Sequence, residues 1–445
     1  MFFHFNYIEK LIEKKAKKVY QLVCSGLLLT AFLFLKSTGV IFSRQSMKRI
    51  YLQKAKAQIA RPNLVRDINK QIVLNYVRDR APISRAEIAR ETALQRSTVS
   101  AIVDDLQNAG LVEEIGMGES SGGRKPTLLK LRTDHPCAVG VDLTPRETTI
   151  AVADLAGRIV EMEKFDTSPD ADFMSNEIVA RVTKFAAKYK ENKLEVGMSL
   201  PGVVDYNLGK VLYIPYFKWR DWDIRQQIES ETSLPVTIDN DANSIALAEL
   251  WFGEEQIRKI KNFITVLVAE GVGTGIVFDG QVYRGEKGAA GEFGHMIVGE
   301  NAPVLCSCGS RNCWEAHSSE KAIVARYRSF LNGDFSDSND ITITQIIDLA
   351  VKGDERAIFV LKETAKFLGI GISNLIVGFS PQAIVVSGRI TKAWHLIAEE
   401  VHSVVEHSIR RRLPTTIIKA SSLGESPTLT GSLSLVLARI FASAS

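Results

Sequence analysis

One histidine and three cysteines fall within nineteen residues, in the pattern His295-x10-Cys306-x-Cys308-x4-Cys313. An imidazole and three thiolates make a closed tetrahedral set for Zn2+, and Gly309 lets the backbone turn tightly beside the second cysteine. Four soft ligands at this spacing constrain the loop to fold around an ion. They leave no open coordination position for a hydrolytic water, so the expected zinc is structural. The other cysteines, Cys24 and Cys137, are remote in sequence. An odd total of five, with three crowded into eight residues, points to a metal site in a reducing cytoplasm rather than a disulfide framework.

The chain has 445 residues, 45% hydrophobic and 24% charged, enough for two or three soluble domains with their own cores. The net charge of +4 hides an asymmetry. Residues 44–132 carry 17 Lys and Arg against 9 Asp and Glu, residues 1–43 carry 6 against 2, and the remainder is net −8. A basic front on an acidic body is the footprint of a polyanion reader. Residues 22–35 are apolar apart from Ser25 and Thr30. Fourteen residues are short for a membrane span, and no small-residue cleavage site is evident. Residues 1–60 are read as an N-terminal extension, with Met47 an alternative start of translation, and no membrane association is expected.

Residues 61–132 read as a winged helix-turn-helix. Leu64, Val65, Ile68, Ile72, Val73 and Tyr76 recur at a helical period. Ser84 and Glu87 form a capping box that starts a second helix. After a break at 92–95, a third helix starts at Arg96–Ser97, turns Val99, Ile102, Val103 and Leu106 inward and stops at Gly110. Strands over 111–115 and 127–131 then flank a basic loop, 116–126. Gln95, Arg96, Ser97, Thr98 and Ser100 open the third helix, where side chains and the helix N-terminus meet bases and phosphates. The loop tip Gly122-Gly123-Arg124-Lys125-Pro126 adds Arg124 and Lys125 as wing contacts. The expected partner is operator DNA.

Beyond Cys137 the pattern becomes α/β. Strands are expected over 138–143, 148–154, 158–165 and 194–200, with a helix over 176–189. A second strand–turn–strand unit runs from 263–269 through Gly271-Val272-Gly273-Thr274-Gly275 to 276–278 and 281–283. A further strand over 383–387 and a helix over 431–442 complete an internally duplicated fold with a cleft between its halves. Asp239-Asn240-Asp241-Ala242-Asn243 follows the strand 236–238, where carboxylates and amides are well placed for sugar hydroxyls. Gly291-Glu292-Phe293-Gly294-His295 puts a carboxylate three residues from the metal-binding imidazole, and Glu315 follows the last cysteine.

Together with residues 84–106, 122–126, Pro201-Gly202-Val203-Val204-Asp205 and the segment 306–315, these motifs resemble the ROK family of repressors, open reading frames and kinases. The resemblance covers residues 61–445 and is to the repressor branch, which includes xylose and N-acetylglucosamine repressors. It implies an α/β, two-lobed actin-like (ribonuclease-H-like) fold behind the winged helix-turn-helix. The first lobe would comprise 137–250 plus 425–445, and the second 251–424 with the zinc motif. It implies a homodimer or tetramer. It also implies that Asn240, Asp241, Glu292, His295 and Glu315 hold a sugar, with His295 using one ring nitrogen for the sugar and the other for zinc.

In the kinases of this family the residue matching Asp241 is the general base, and a first phosphate loop reads Asp-x-Gly-Gly-Thr. Here the corresponding stretch is Asp142-Leu143-Thr144-Pro145-Arg146. Both glycines are gone, and Pro145 lacks an amide donor. A later glycine cluster is reduced to Ser387-Gly388-Arg389. The expectation is a cytoplasmic, sugar-responsive repressor without enzymatic activity, in which Asp241 serves as a sugar ligand. The alternatives are an ATP-dependent sugar kinase with an added DNA-binding domain, and a repressor controlled by a partner protein.

Overall fold

The computed structural model describes residues 62–119, 125–331, 341–409 and 414–442. The expected extension and Arg124 therefore lie outside the described residues. The DNA-reading unit begins with α1 (Pro62–Arg80), β1 (Ile83–Ser84), α2 (Arg85–Thr92) and α3 (Arg96–Asn108). The capping box forms as expected: the Glu87 amide donates to Ser84 Oγ at 3.3 Å and the Ser84 amide to Glu87 Oε2 at 2.9 Å. Such a cap stabilises a helix by about 1 kcal/mol. α3 buries Val99, Ile102, Val103 and Leu106, and Gly110 at φ +73° ends it. β2 (Val112–Met117) and β3 (Thr127–Leu131) pair antiparallel, with β1 on the outer side of β3.

α1 forms where the helical period places it but buries only part of that apolar set. Val73, Leu74 and Val77 are buried, whereas Val65, Ile68 and Ile72 are 48%, 44% and 37% exposed. The second half of α1 packs on the C-terminal helix described below. The first half reaches α3 through an exposed ion pair, Arg66 Nη2 to Asp105 Oδ2 at 2.6 Å.

Two five-stranded sheets follow, with the same internal order. In the first, β4 (Pro136–Leu143), β5 (Glu147–Asp154) and β6 (Ile159–Asp166) form an antiparallel meander. After α4 (Ala171–Lys188), β7 (Glu195–Leu200) joins β4 in parallel. A small side sheet of β8 (Val203–Asp205), β9 (Lys210–Ile214) and β10 (Trp219–Trp222) and then α5 (Ile224–Thr232) precede β11 (Val236–Asn240), which is parallel to β7. α6 (Asp241–Phe252) leaves the end of β11, and the short α7 (Glu255–Arg258) leads to the second sheet.

There β12 (Phe263–Val268), β13 (Val272–Phe278) and β14 (Gln281–Val282) repeat the meander. Helices α8 (Trp314–Ser318), α9 (Glu320–Phe330), α10 (Ile343–Val351) and the 25-residue α11 (Glu355–Phe379) then precede β15 (Ala383–Ser387), parallel to β12. α12 (Trp394–Ser408) connects to β16 (Ile417–Ala420), parallel to β15. The orders β11-β7-β4-β5-β6 and β16-β15-β12-β13-β14 match strand for strand.

The central strands of both sheets are buried on both faces, as covered strands must be, whereas the edge strand β6 is largely exposed. α4 and α5 cover one face of the first sheet with Met174, Ile178, Val182, Phe185, Ile224 and Ile228. The C-terminal helix α13 (Pro427–Ala442) covers the other. Its approach requires glycine: a Cβ at Gly197 of β7 would lie 2.0 Å from the Ser432 carbonyl oxygen. The core beneath α13 continues without a break into the DNA-reading unit, joining Leu433, Val436 and Phe441 to Val73, Ile88 and Val103. No helix among the described residues is long and apolar enough to cross a membrane.

Candidate functional site

The metal motif closes as its spacing predicts. One ligand atom from each of His295, Cys306, Cys308 and Cys313 lies within 4.8 Å of the other three. Cys306 Sγ is 3.3 Å from His295 Nδ1, and Cys308 Sγ is 3.3 Å from Cys313 Sγ. A turn at Gly309 (φ +90°) with Gly309 N donating to the Cys306 carbonyl holds the first two cysteines. A bridge between Ile297 and Cys313 draws in the last. The donor set and the closeness of its atoms fit one tetrahedral ion of the zinc class.

His295 faces two ways. While Nδ1 meets the thiols, Nε2 is 3.5 Å from Glu292 Oε2. Glu315 lies on the same wall. Its Oε1 is 3.2 Å from Cys306 Sγ, and its Oε2 accepts from the Val272 amide at 3.3 Å. Asn240, Asp241, Glu292, His295 and Glu315 all line one pocket, together with Gly202, Tyr216 and Ser307. The structure thus brings the five expected sugar ligands together. Asn240 is already engaged: it caps α6 by accepting from the Ala242 and Asn243 amides, and its Nδ2 donates to the Gly202 carbonyl at 2.9 Å.

Asp241 stands at the first position of α6. Burial pushes its carboxyl up to about 7, against the lowering hydrogen bond from the Ala242 amide, and the Glu292 charge adds to the rise. Burial also raises Glu292, opposed by His295 and reinforced by Glu315. Glycines just before and within β13 admit these groups. A Cβ at Gly271 would lie 2.5 Å from Glu315 Oε2, and one at Gly275 would lie 2.2 Å from the Ala242 carbonyl oxygen. They seat a carboxylate and a helix start.

A second pocket shares Pro201, Tyr216, Asp241 and Gly271 with the first and continues toward Thr144, Pro145 and Arg146. It is rich in carboxylates: Asp142, Asp241, Glu270, Glu320 and Glu425. Its two cations are already matched, Arg146 with Glu270 and Arg389 with Glu320 at 2.8 Å. Burial pushes both Asp142 and Glu320 up to about 7, in spite of the Thr428 hydroxyl on the first and Arg389 beside the second. The stretch Thr144–Glu147 is a closed turn, with the Thr144 amide and hydroxyl both donating to the Glu147 carbonyl.

On the DNA-reading unit, Gln95, Arg96 and Ser97 are exposed at the start of α3, Thr98 and Ser100 are half-buried, and Lys125 is exposed at the base of the wing. Gln95 occupies the N-cap without a side-chain hydrogen bond, leaving first-turn amides of α3 without a side-chain cap.

The sequence profile of the ROK family matches residues 138–439. The chain belongs to the ROK family. A profile of the MarR family matches residues 72–120, ahead of the ROK region. The xylose repressor of Bacillus spizizenii is 30% identical over 384 residues, covering 85% of this chain and 97% of that protein. The crystal structure of a ROK family transcriptional regulator, a homologue of the Escherichia coli MLC protein, superposes with a TM-score of 0.69 at 25% identity, covering 85% of this chain and 97% of the other. A ROK family glucokinase from Streptomyces griseus, solved with glucose and AMPPNP, gives a TM-score of 0.60 at 29% identity over 67% of this chain and 98% of its own. The transcriptional regulator thus matches more of this chain than the glucokinase does, 85% against 67%.

Several partners around the ROK cleft were not foreseen from sequence. Asp239, fully buried at the head of its motif, pairs with Arg284, just after β14, at 2.7 Å, and Arg284 lies 3.9 Å over the Tyr206 ring. Lys321 lies 4.0 Å over Tyr216, which lines both pockets. Glu270 and Glu320 complete the ion pairs of the second pocket, the latter with Arg389 of the reduced glycine cluster. The only local signal is the polar residue after each apolar strand, which is too common to single out.

Proposed function

We propose that this ROK protein is a transcriptional repressor that binds operator DNA through α3 and the wing, and whose DNA affinity is set by a neutral sugar held between its two sheets. The observation that carries the reading is the contrast between the two pockets. One gathers Asp241, Glu292, His295 and Glu315 around a space suited to hydroxyls, each carboxylate able to accept two hydrogen bonds. The other has exchanged a phosphate cradle for a proline turn and paired charges. The excess of carboxylates opposes a phosphate on the ligand, so the effector class is an unphosphorylated sugar.

The metal cluster would hold Zn2+ through His295, Cys306, Cys308 and Cys313. Its contribution is to fix the imidazole so that Nε2 faces the sugar beside Glu292. Sugar binding draws the lobes together and favours the low-affinity form of the DNA reader, which needs only preferential binding to that form. The kinase reading is favoured by one observation, the Asp241 carboxyl raised to about 7 as a general base requires. Without a phosphate cradle that group serves as a hydroxyl acceptor. Ile297, Val377 and Phe379, 72%, 63% and 43% exposed, support a homo-oligomer, which sedimentation would reveal. The setting is the cytoplasm.

The test is binding of an in vitro selected DNA duplex during titration with D-xylose, D-glucose, N-acetyl-D-glucosamine and glucose 6-phosphate. A neutral sugar should change DNA affinity, and the phosphate should not. A response to glucose 6-phosphate alone would refute the assignment of class.

A further inference from the structure

Two helices that begin at the cleft end at the DNA reader. α6 starts with Asp241, on the wall of the sugar pocket, and finishes with Trp251 and Phe252. α13 starts with Pro427 and Thr428, whose hydroxyl donates to Asp142 Oδ2 at 2.7 Å, and finishes with Phe441 and Ala442. At 1.5 Å per residue these are rods of roughly 18 and 24 Å. They touch backbone to backbone, since a Cβ at Gly431 of α13 would lie 2.9 Å from the Ser244 carbonyl carbon of α6. Close-packed helices shift as bodies rather than deform, so displacement of one rod carries the other.

At the far end the two rods form a seat for one side chain of α1. The Trp251 and Phe441 rings stack at 6.3 Å. The Arg78 guanidinium lies over both, 5.0 Å from the first and 4.8 Å from the second. Its Nε and Nη2 fork onto Asp79, which also takes Arg258 at 3.0 Å, while Nη1 has no hydrogen-bond acceptor. Asn75 Nδ2 donates to the Phe441 carbonyl at 3.1 Å, and the Gln71 amide donates to the Ala442 carbonyl. These carbonyls are last-turn groups of α13 that the helix itself cannot satisfy. The cation also sits where two helix C-termini favour positive charge. From α1, Arg66 reaches Asp105 on α3.

We propose that Arg78 is a positioning residue that couples the cleft to the DNA reader, by holding α1 on the joined ends of α6 and α13. Movement of Asp241 on sugar binding shifts α6 and, through the close contact at Gly431, α13, and the shift reorients α1 and with it α3. The inference rests on the effector reading above. A planar guanidinium can stack on two rings and fork onto a carboxylate at once, which a lysine cannot do. Loss of Arg78 should therefore uncouple the two sites while each still works.

The experiment compares full-length wild type with Arg78→Ala and Arg78→Lys. It uses the selected duplex with D-xylose, D-glucose and N-acetyl-D-glucosamine as probes. Wild type should change its DNA affinity at least fivefold with one of these sugars. Both variants should change by less than twofold, with sugar-free DNA affinity and sugar-induced thermal stabilisation within twofold of wild type. Variants that respond as wild type does overturn this inference alone. A wild type that binds no sugar overturns the effector reading and this inference with it. Hydrogen exchange on wild type gives a second measurement that needs no variant. Sugar should alter protection at 71–80, 248–252 and 437–442, and unchanged exchange there in a protein whose DNA affinity responds would equally overturn it.

Discussion

Arg146 and Glu270 meet across the cleft, with Nε of the first 2.7 Å from Oε1 of the second. The arginine follows β4 of the first sheet and the glutamate follows β12 of the second, so the pair bridges the two halves of the body. The Arg146 side chain is 63% exposed, and a pair of that kind contributes only about 0–1 kcal/mol. It is an interaction that a ligand-driven movement can make or break. It also occupies the turn where a kinase would present glycine amides to a phosphate. Purified protein with ATP, Mg2+ and the sugar panel should produce no sugar-dependent ADP. Sustained turnover abolished by Asp241→Asn would show that the cleft is a kinase site.

The metal cluster predicts one zinc per chain by elemental analysis. Cys308→Ser removes the one exposed thiol of the three and should leave substoichiometric metal. Because His295 would lose its anchor, sugar-induced stabilisation should weaken in parallel. Full zinc occupancy in that variant would exclude Cys308 as a ligand.

Asp142 makes stability depend on pH. Its carboxyl rises from 3.8 to about 7, chiefly through burial, against the Thr428 hydrogen bond. Between about pH 4 and pH 7 the folded chain keeps a proton that the unfolded chain releases, so this group's contribution falls as pH rises through that window. Asp142→Asn keeps the acceptor for Thr428 and removes the titration. The variant should gain on wild type from pH 5 to pH 8, on the order of 2 kcal/mol in urea unfolding. Taking the difference between the two proteins cancels the titration of the metal ligands. A constant difference across that range would show that Asp142 titrates normally.

What the sequence revealed was local. Ser84 and Glu87 are three residues apart, the four metal ligands lie within nineteen, and Gly110 needs only its own positive φ. Asn240, Asp241 and Glu292 were legible because their motifs are compact. The pairs that shape the cleft join distant positions, Arg146 to Glu270 and Asp239 to Arg284, and no periodicity reports them. α11 was missed for a physical reason. Gly369 and Gly371 lie inside it, and a Cβ at Gly371 would be 2.0 Å from the Trp314 ring, so the glycine seats a tryptophan from a distant part of the chain, which no local pattern reports. The exposed face of Val65, Ile68 and Ile72 shows the limit of periodicity: a correct period does not say which turns of a helix have a neighbour.

Glu292→Ala tests the sugar pocket without touching the DNA reader. Losing a carboxylate that accepts hydroxyls should weaken sugar binding by about 1–3 kcal/mol. DNA affinity without sugar should stay within twofold of wild type. The expected phenotype is a repressor that binds its operator and ignores moderate inducer concentrations. An unchanged dose response would remove Glu292 from the ligand shell.

Arg96 and Lys125 should differ in how they bind DNA. Neutralising Lys125, or Arg124 beside it in sequence, should weaken all duplexes alike and lower the salt slope by about one unit for each phosphate left without its cation. Arg96→Ala at the start of α3 should in addition reduce discrimination between selected and random duplexes. Unchanged affinity and salt dependence in all three variants would refute this docking surface.

The close seat of α13 on β4 and β7 sets the timetable of biosynthesis. Ser432 presses on Gly197 and Gly140, residues made well over two hundred positions earlier, and Phe441 completes the core that includes Val73. At about 5–20 residues per second a ribosome needs tens of seconds to cross that interval. During that time the inner face of the first sheet and the underside of the DNA reader are uncovered. A nascent or prematurely terminated chain thus lacks the last wall of the body that steadies α1. Messenger damage or ribosome stalling should yield chaperone clients rather than unregulated repressors.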